Sequence, residues 1–592
     1  MLKGSMANMR IIGTTLNAKY IHTNLALRYL KAYAAPEYNV EIVEYTIKDP
    51  VMNIVTDLYN HKPDIIGFSC YIWNMEEIKK VITILKKINP NIYIVLGGPE
   101  VTYDPFFWLR DIPGADFIVI GEGEATFKNL IAEIEGNRNF HNVQGIAFLE
   151  GEKPILTPAA PKVDLKSIPS PFRFEEDIPN LSKRITYIET SRGCPFSCQF
   201  CLSSIETGVR FFNREAIKED LRFLMKNGAK TIKFMDRTFN ISRSYALDIF
   251  EFLIKEHEPG CVFQFEITAD IMKPEVIEYL NKEAPPGLFR FEIGVQSTND
   301  YTNELVKRKQ NFDKLKRTVT MIKEGGKVDQ HLDLIAGLPE ENYDSFRKTF
   351  DDVFAMRPEE LQLGFLKMLR GTGLRTQAKQ WDYQYMDQAP YEIVSNNVMP
   401  FSDIIKIKQV EDVLEKYWND HRMDHGMEYI VGTVYSSPFD FFQEFGSYWE
   451  EKKWSRIGHQ PEDLFKRLVE FITVTHPESL DTLISLLKVD YLSKLSFKPR
   501  KPWWEFSKTK HEKSSIYQSV LANPHLVSEE FKELNLNEKE LYKHVLIDEV
   551  TIDMNQYFET GDIESAPYSL IAYFHPKQGG SSLFYVPTNI LT

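Results

Sequence analysis

The sequence predicts an α/β protein in three parts: a doubly wound N-terminal domain, a central partial (β/α)6 barrel, and a mostly helical α+β C-terminal domain. Three observations carry this. Short apolar runs alternate with helical periods over two stretches. A proline-rich segment parts the two, with prolines at 154, 158, 161, 169, 171 and 179. Beyond Asn396 the pattern turns to long amphipathic helices. A chain of 592 residues is long enough for about three or four domains. Its apolar fraction of 43% is ample for sizeable cores.

In the first stretch, strands are expected at 10–14, 40–45, 64–69, 91–97 and 117–121, with helices between them. Near-continuous apolar strands mean a parallel sheet covered on both faces, whose ligands bind outside the carboxyl ends of the strands. Two of those ends carry Gly97-Gly98-Pro99-Glu100 and Gly121-Glu122-Gly123-Glu124. Glycine there lets the backbone approach a large planar or phosphorylated ligand, and equally suits a plain strand-to-helix turn. The domain is set at 9–140 and a linker at 141–183. Six strand-then-helix units follow in 184–390, with strands at 185–189, 231–235, 263–268, 289–295, 330–335 and 361–365. Functional residues of such a barrel gather at the C-terminal strand ends. In 396–592, helices are expected at 404–418, 439–452, 462–475 and 477–492, then strands at 544–553, 569–574 and 583–587.

A net charge of −14 argues against general attraction to nucleic acid or an anionic membrane. No apolar stretch reaches transmembrane length and the start has no signal pattern. Gly4-Ser5-Met6 marks residues 1–8 as an expression-tag scar. The basic run 498–501 with Trp503 and Trp504 reads as a solvated turn whose tryptophans close a core. His421, His425, His459 and His476 lack metal-ligand spacing and read as surface or core residues.

The chain has five cysteines, and three of them form Cys194-x3-Cys198-x2-Cys201. Cys70 and Cys261 lie in apolar runs and read as small buried hydrophobes. Such usage fits a reducing cytoplasm, not a disulfide framework. Three thiolates at this spacing can hold three irons of a [4Fe-4S] cubane and leave the fourth open to a ligand. The alternatives are a zinc site or three unrelated thiols, but no fourth Cys or His follows at a zinc-like interval.

This triplet, with Phe200 ahead of its last cysteine, resembles the radical S-adenosylmethionine (SAM) enzymes. Residues 234–239 (Phe-Met-Asp-Arg-Thr-Phe), 291–297 (Phe-Glu-Ile-Gly-Val-Gln-Ser), 333–339 (Asp-Leu-Ile-Ala-Gly-Leu-Pro) and 366–372 (Leu-Lys-Met-Leu-Arg-Gly-Thr) agree in order and spacing. Residues 63–69, 97–99 and 121–124 resemble the Rossmann-like cobalamin-binding domains that many of these enzymes carry. The C-terminal region resembles an uncharacterised domain found behind the same pair. The resemblance covers roughly residues 10–390. It implies three cofactors, a [4Fe-4S] cluster, SAM and cobalamin, and one-electron cleavage of SAM to a 5′-deoxyadenosyl radical.

Carried onto this sequence, the resemblance makes Cys194, Cys198 and Cys201 the cluster ligands. Glu266 and Gln296 match contacts to the methionyl or ribose groups of SAM, Arg308 its carboxylate partner, and Asp333 a ribose contact. Phe200 passes the adenine, and Asp236 is a further polar contact. Ser69, Tyr71, Trp73 and Asn74 would lie along the corrin, with Gly97, Gly98, Gly121, Glu122 and Gly123 at the neighbouring strand ends. His22 is a poor cobalt ligand, because no Asp-x-His-x-x-Gly surrounds it.

The function implied is a cobalamin-dependent radical SAM methyltransferase acting on an unreactive carbon of an unknown substrate, fed by a flavodoxin or ferredoxin. A cyclase, rearrangement or redox enzyme with the same cofactors is the first alternative. A cobalamin or cluster sensor is the second. The C-terminal third is expected to shape the barrel entry or recognise the substrate.

Overall fold

A computed structural model describes residues 9–591, apart from Thr207 and Ser507. The tag-like residues 1–8 lie outside the described residues. The chain divides into two compact units: everything up to Glu359 together with Leu363–Phe401, and Glu360–Gln362 with Ser402 onwards. Among the described residues no helix is long and apolar enough to cross a membrane.

The first unit opens with strands β1 (Ile11–Asn17), β2 (Val40–Thr46), β3 (Ile65–Ser69), β4 (Tyr93–Gly97) and β5 (Phe117–Val119). They pair in parallel in the order β2-β1-β3-β4-β5. The order reverses between β1 and β3, which makes a topological switch point where ligands of such sheets bind. Helices Leu25–Ala34 and Glu124–Glu135 cover one face, Val51–Asn60 and Met75–Ile88 the other, so two apolar layers form. In Met75–Ile88 the buried residues Ile78, Val81, Ile82 and Leu85 recur every three or four positions. Glu76 and Glu77 open that helix and Lys86 and Lys87 close it, as the helix dipole favours.

The expected linker at 141–183 differs from the structure. Strands β6 (Ile146–Glu150) and β7 (Lys153–Leu156) extend this sheet antiparallel beyond β5. Pro154 is tolerated because β7 is the edge strand, where a missing N–H breaks no ladder.

The barrel strands are β8 (Ile185–Ile188), β11 (Thr231–Phe234), β12 (Val262–Ile267), β13 (Phe289–Gln296), β14 (Val328–Ala336) and β15 (Glu360–Phe365), in the order β15-β14-β13-β12-β11-β8. Short strands β9 (Ser191–Arg192) and β10 (Arg210–Phe211) lie between β8 and β11 in the chain and pair antiparallel. The outer face of the barrel sheet is a wall of phenylalanines: Phe234 stacks on Phe265 with centroids 4.3 Å apart, and Phe250 packs on both Phe265 and Phe291. The free edge of β8 is covered by the loop after β1. Ile185 N–H donates to Ile21 O (2.7 Å) and Thr23 Oγ1 donates to Ile185 O (2.9 Å), which blunts an otherwise open sheet edge.

In the second unit, helices Phe401–Leu414, Pro438–Glu451, Pro461–Thr475 and Leu480–Ser493 precede an antiparallel sheet of three strands: Val545–Ile552, Ser565–Phe574 and Ser581–Pro587. The basic run serves this core. Lys498 Nζ donates to the carbonyls of Tyr542 and Val545, Trp503 stacks on Phe465, and Trp504 Nε1 donates to Asp548 (2.6 Å). Asp548 is in turn paired with buried Lys488 (2.8 Å).

Candidate functional site

A cavity of about 340 Å³ opens at the carboxyl ends of β3, β4 and β5. Ser69, Gly97, Gly98, Gly121, Glu122 and Gly123 line it, as does Tyr71. Gly98 is required there: its φ is +121°, and a Cβ would collide with the Cys70 carbonyl. Three walls come from beyond the N-terminal domain, namely Glu189, Arg192 and Glu206. Arg192 ties the parts together, with Nε on Glu189 (2.8 Å) and Nη2 on buried Glu124 (2.6 Å). Arg210 pairs with Glu122, whose carboxylate also accepts from Val163 N–H (3.0 Å). Burial pushes the Glu189 carboxyl up, and Arg192 opposes that shift.

Arg192 stands two residues ahead of Cys194, so one side chain is shared by the cavity and the cysteine loop. The β9–β10 pair clamps the two ends of that loop, and Gly193 (φ +97°) allows the close approach of the Gly208 carbonyl. Ser204 Oγ donates to the carbonyls of Cys198 and Cys201, and Gln199 N–H donates to Val306 O (2.9 Å). Cys194 and Cys198 are buried and Cys201 is half-buried. Burial pushes the first two thiols up. The Phe196 N–H and Thr238 pull Cys194 back, and Arg308 pulls Cys198 back. Donors and cations aimed at sulfur favour the thiolate, the form a metal needs.

Among the described residues no three His, Cys, Asp or Glu side chains gather around a single point as ligands of one metal ion would. Three thiols on one loop, with no fourth Cys or His at a zinc-like interval, are the donor set that a cubane with one open iron would take.

Residues 11–131 match the B12 binding domain, residues 188–353 the radical SAM superfamily, and residues 379–572 a protein family of unknown function, DUF4080. Over residues 188–353 the chain resembles the radical SAM superfamily. It is 32% identical over 251 residues to an uncharacterized methyltransferase of Pyrococcus horikoshii, covering 40% of this chain and 53% of that one. It is 25% identical over 384 residues to the cobalamin-dependent radical SAM methyltransferase TokK of Streptomyces tokunonensis, covering 61% and 56%. The chain thus spans about half the length of these curated relatives. Its fold is shared with the cobalamin-dependent SAM radical enzyme OxsB solved with aqua-cobalamin, at a TM-score of 0.57 and 15% identity over 81% of this chain and 79% of that one.

Two of the side chains expected to meet SAM, Glu266 and Asp333, face one hollow together with Glu292. Glu266, Glu292 and Asp333 point inward from β12, β13 and β14, with Arg237 3.9 Å from Glu266 and Lys233 2.7 Å from Glu292. Burial pushes the Glu266 carboxyl up, opposed by Arg237 and Lys233 and reinforced by Glu292 and Asp333. His331 Nε2 lies 3.1 Å from Asp333. Arg308 lines a small crevice with Cys198, Gly294 and Thr268, and its guanidinium reaches the Gly294 carbonyl and Gln310 (3.1 Å). Gln296 has a φ of +68° at a register shift in β13, a strained geometry of the kind stored at functional sites. Phe200 is half-buried beside Cys201.

Three expectations take different positions. Asp236 is buried, with its carboxylate already engaged within the fold. Its carboxylate accepts from Thr190 N–H (3.0 Å), Thr190 Oγ1 (2.7 Å) and Ser191 Oγ, which anchors the entry to the cysteine loop. Asn74 is also buried, because its amide donates to Thr15 Oγ1, Leu16 O and Ser69 O, and its Oδ1 accepts from Tyr71 N–H. It shapes the loop after β3 from behind. Trp73 is exposed, does not line the cavity, and stacks flat on Tyr71 with centroids 4.4 Å apart. His22 bonds Tyr187 OH (2.7 Å) and does not line the cavity either.

Arg192 and Glu189 were not singled out from the sequence. The signal available was a lone Arg in Ser-Arg-Gly-Cys, whose partners are revealed only by the fold.

Proposed function

We propose that this chain is a cobalamin-dependent radical SAM methyltransferase that methylates an unreactive carbon. The observation that carries it is the shared wall: Arg192 and Glu189 line the strand-end cavity while Arg192 leads into Cys194. A corrin in the cavity and a cluster on the loop would then serve one reaction space.

When bound, the cluster with SAM supplies a 5′-deoxyadenosyl radical and methylcobalamin supplies the methyl group. The residues of the chain bind and orient. Cys194, Cys198 and Cys201 hold three irons. Arg308 meets the SAM carboxylate, and Gln296, Glu266 and Asp333 present polar groups from successive strand ends. Ser69, Tyr71 and the glycines at 97, 98, 121 and 123 let the corrin lie close to the backbone. A flavodoxin or ferredoxin in the cytoplasm is the electron source in this proposal.

The test is anaerobic turnover of cluster-reconstituted protein with cobalamin, reductant and methyl-labelled SAM, read by mass spectrometry. S-adenosylhomocysteine with labelled methylcobalamin, and 5′-deoxyadenosine that vanishes in Cys198→Ala, are expected. 5′-Deoxyadenosine without any methyl transfer would replace the methyltransferase by a cyclase or rearrangement enzyme. Neither product from fully loaded protein, with candidate substrates present, would leave a sensor.

A further inference from the structure

Residues 369–374, Leu-Arg-Gly-Thr-Gly-Leu, cross from the cavity wall to the cysteine loop. On the cavity side, buried Arg370 donates to Asp104 (2.7 Å) and to Tyr391 OH (3.1 Å), with its guanidinium 3.9 Å from the centroid of Phe107. The Tyr391 hydroxyl donates in turn to buried Glu100, in the short helix Pro99–Thr102 that follows β4. Gly371 has a φ of +88° and lies on the ring of Tyr103, which lines the cavity. A Cβ at this position would stand 2.5 Å from the ring.

Two residues later the contacts change partner. Gly373 lies against the side chain of Gln199, where a Cβ would collide. Leu374 N–H donates to Gln199 O (2.8 Å), and Gln377 Nε2 donates to Gln199 Oε1 (3.2 Å). Gln199 directly follows Cys198. Glycine thus stands at each of the two close approaches: a side chain at 371 would meet the Tyr103 ring at a strained φ, and one at 373 would push the Gln199 amide out of its contact with Gln377.

We propose that residues 369–374 form a strap through which cobalamin in the cavity positions Cys198, so that each cofactor binds more tightly when the other is present. Gly371, Gly373, Arg370 and Gln199 are then positioning residues. The proposal rests on the assignment of cobalamin to the cavity and of the cluster to the cysteines. Coupling of this kind is reciprocal, so cobalamin affinity reports on the cluster loop.

The experiment is equilibrium dialysis of hydroxocobalamin against the full chain, with and without a reconstituted cluster, together with the electron paramagnetic resonance spectrum of the reduced cluster with and without cobalamin. In the unaltered chain the cluster should tighten cobalamin binding about tenfold, and cobalamin should shift the cluster spectrum. In Gly373→Ala and Gln199→Ala the two affinities should become equal and the spectral shift should vanish, while each cofactor still binds alone. Gln199→Ala keeps the backbone bonds to Val306 and Leu374, so it carries the test if Gly373→Ala does not fold. Equal affinities in the unaltered chain would overturn the strap. So would an undiminished ratio in both variants, which would place the coupling in Arg192. Failure of hydroxocobalamin to bind the unaltered chain would overturn the cavity assignment, and the strap with it.

Discussion

In the N-terminal sheet, β3 is buried along its whole length from Ile65 to Ser69. In the barrel, β12 alternates: Phe263, Phe265 and Ile267 are buried, whereas Gln264 and Glu266 face the hollow. A sheet covered on both faces has no room for a ligand except past its strand ends. Its candidate groups are accordingly glycines and loop residues, at 97–98 and 121–123. A half-open barrel can place charge on the sheet itself, and Lys233, Glu266, Glu292 and Asp333 stand there, one on each of four neighbouring strands. The same β/α unit thus offers backbone in one region and side chains in the other.

Cutting into the packed face should cost most. Phe265→Ala removes a ring in contact with Phe234, Phe239 and Phe250, and should lose about 3–5 kcal/mol of stability in urea unfolding. Gln264→Ala, one residue away on the hollow side, should change stability by about 0.5 kcal/mol or less. Equal losses would mean that the hollow is packed like a core, and the contrast between the two faces would fall.

Next in size is a pH effect from a carboxyl behind the barrel. Glu341 is fully buried, accepts from Ser297 Oγ and Thr349 Oγ1 (2.9 Å), and is pushed up to about 7 by burial. In the unfolded chain it ionises near 4.5. Between those values the native state holds the extra proton, so stability falls as pH rises from about 4.5 to about 7. The loss should approach about 3 kcal/mol. Glu341→Gln keeps an acceptor for both hydroxyls and should flatten that slope in melts recorded from pH 5 to pH 8.

What the sequence made legible follows the same division. Periodicity located β3, β4, β12 and β13 because their burial patterns are local. The cysteine triplet and the glycines of the strand ends could be read for the same reason. The strand β7 is masked by Pro154, which its edge position tolerates, and β6 beside it reads as part of the same proline-rich segment. Asp236 reads as a further polar contact because Thr190 and Ser191, which occupy its carboxylate, lie more than forty residues earlier. Arg370 and Asp104 are 266 positions apart, so no window of sequence joins them. A side chain's partner across a domain boundary has no periodic signature.

Glycine at the strand ends gives the next prediction. Gly98→Ala forces a Cβ onto the Cys70 carbonyl at φ +121° and should cost about 1–3 kcal/mol, together with cobalamin retention. Gly121 also has a positive φ, +75°, but nothing lies within 4 Å of a Cβ there. Gly121→Asn should therefore melt within a few degrees of the unaltered protein, since asparagine tolerates that conformation. If Gly98→Ala binds hydroxocobalamin as the unaltered chain does, close backbone approach at β4 is not what the cavity uses.

The smallest effect separates lining from neighbourhood at the end of β3. Tyr71 lines the cavity, and Trp73 rests on the outside of its ring, half in solvent. Trp73→Ala should lose only the stack, about 0.5–1.5 kcal/mol, and leave the hydroxocobalamin Kd within about twofold. Tyr71→Ala opens the wall itself and breaks the hydroxyl contact with Asn24, the cap of helix Leu25–Ala34. Its Kd should rise well beyond that of Trp73→Ala in the same dialysis. If Trp73→Ala weakened cobalamin as much as Tyr71→Ala, the indole would have to swing into the cavity when the corrin enters. The strand-end region would then answer its ligand with side chains, as the barrel hollow does, and not with backbone alone.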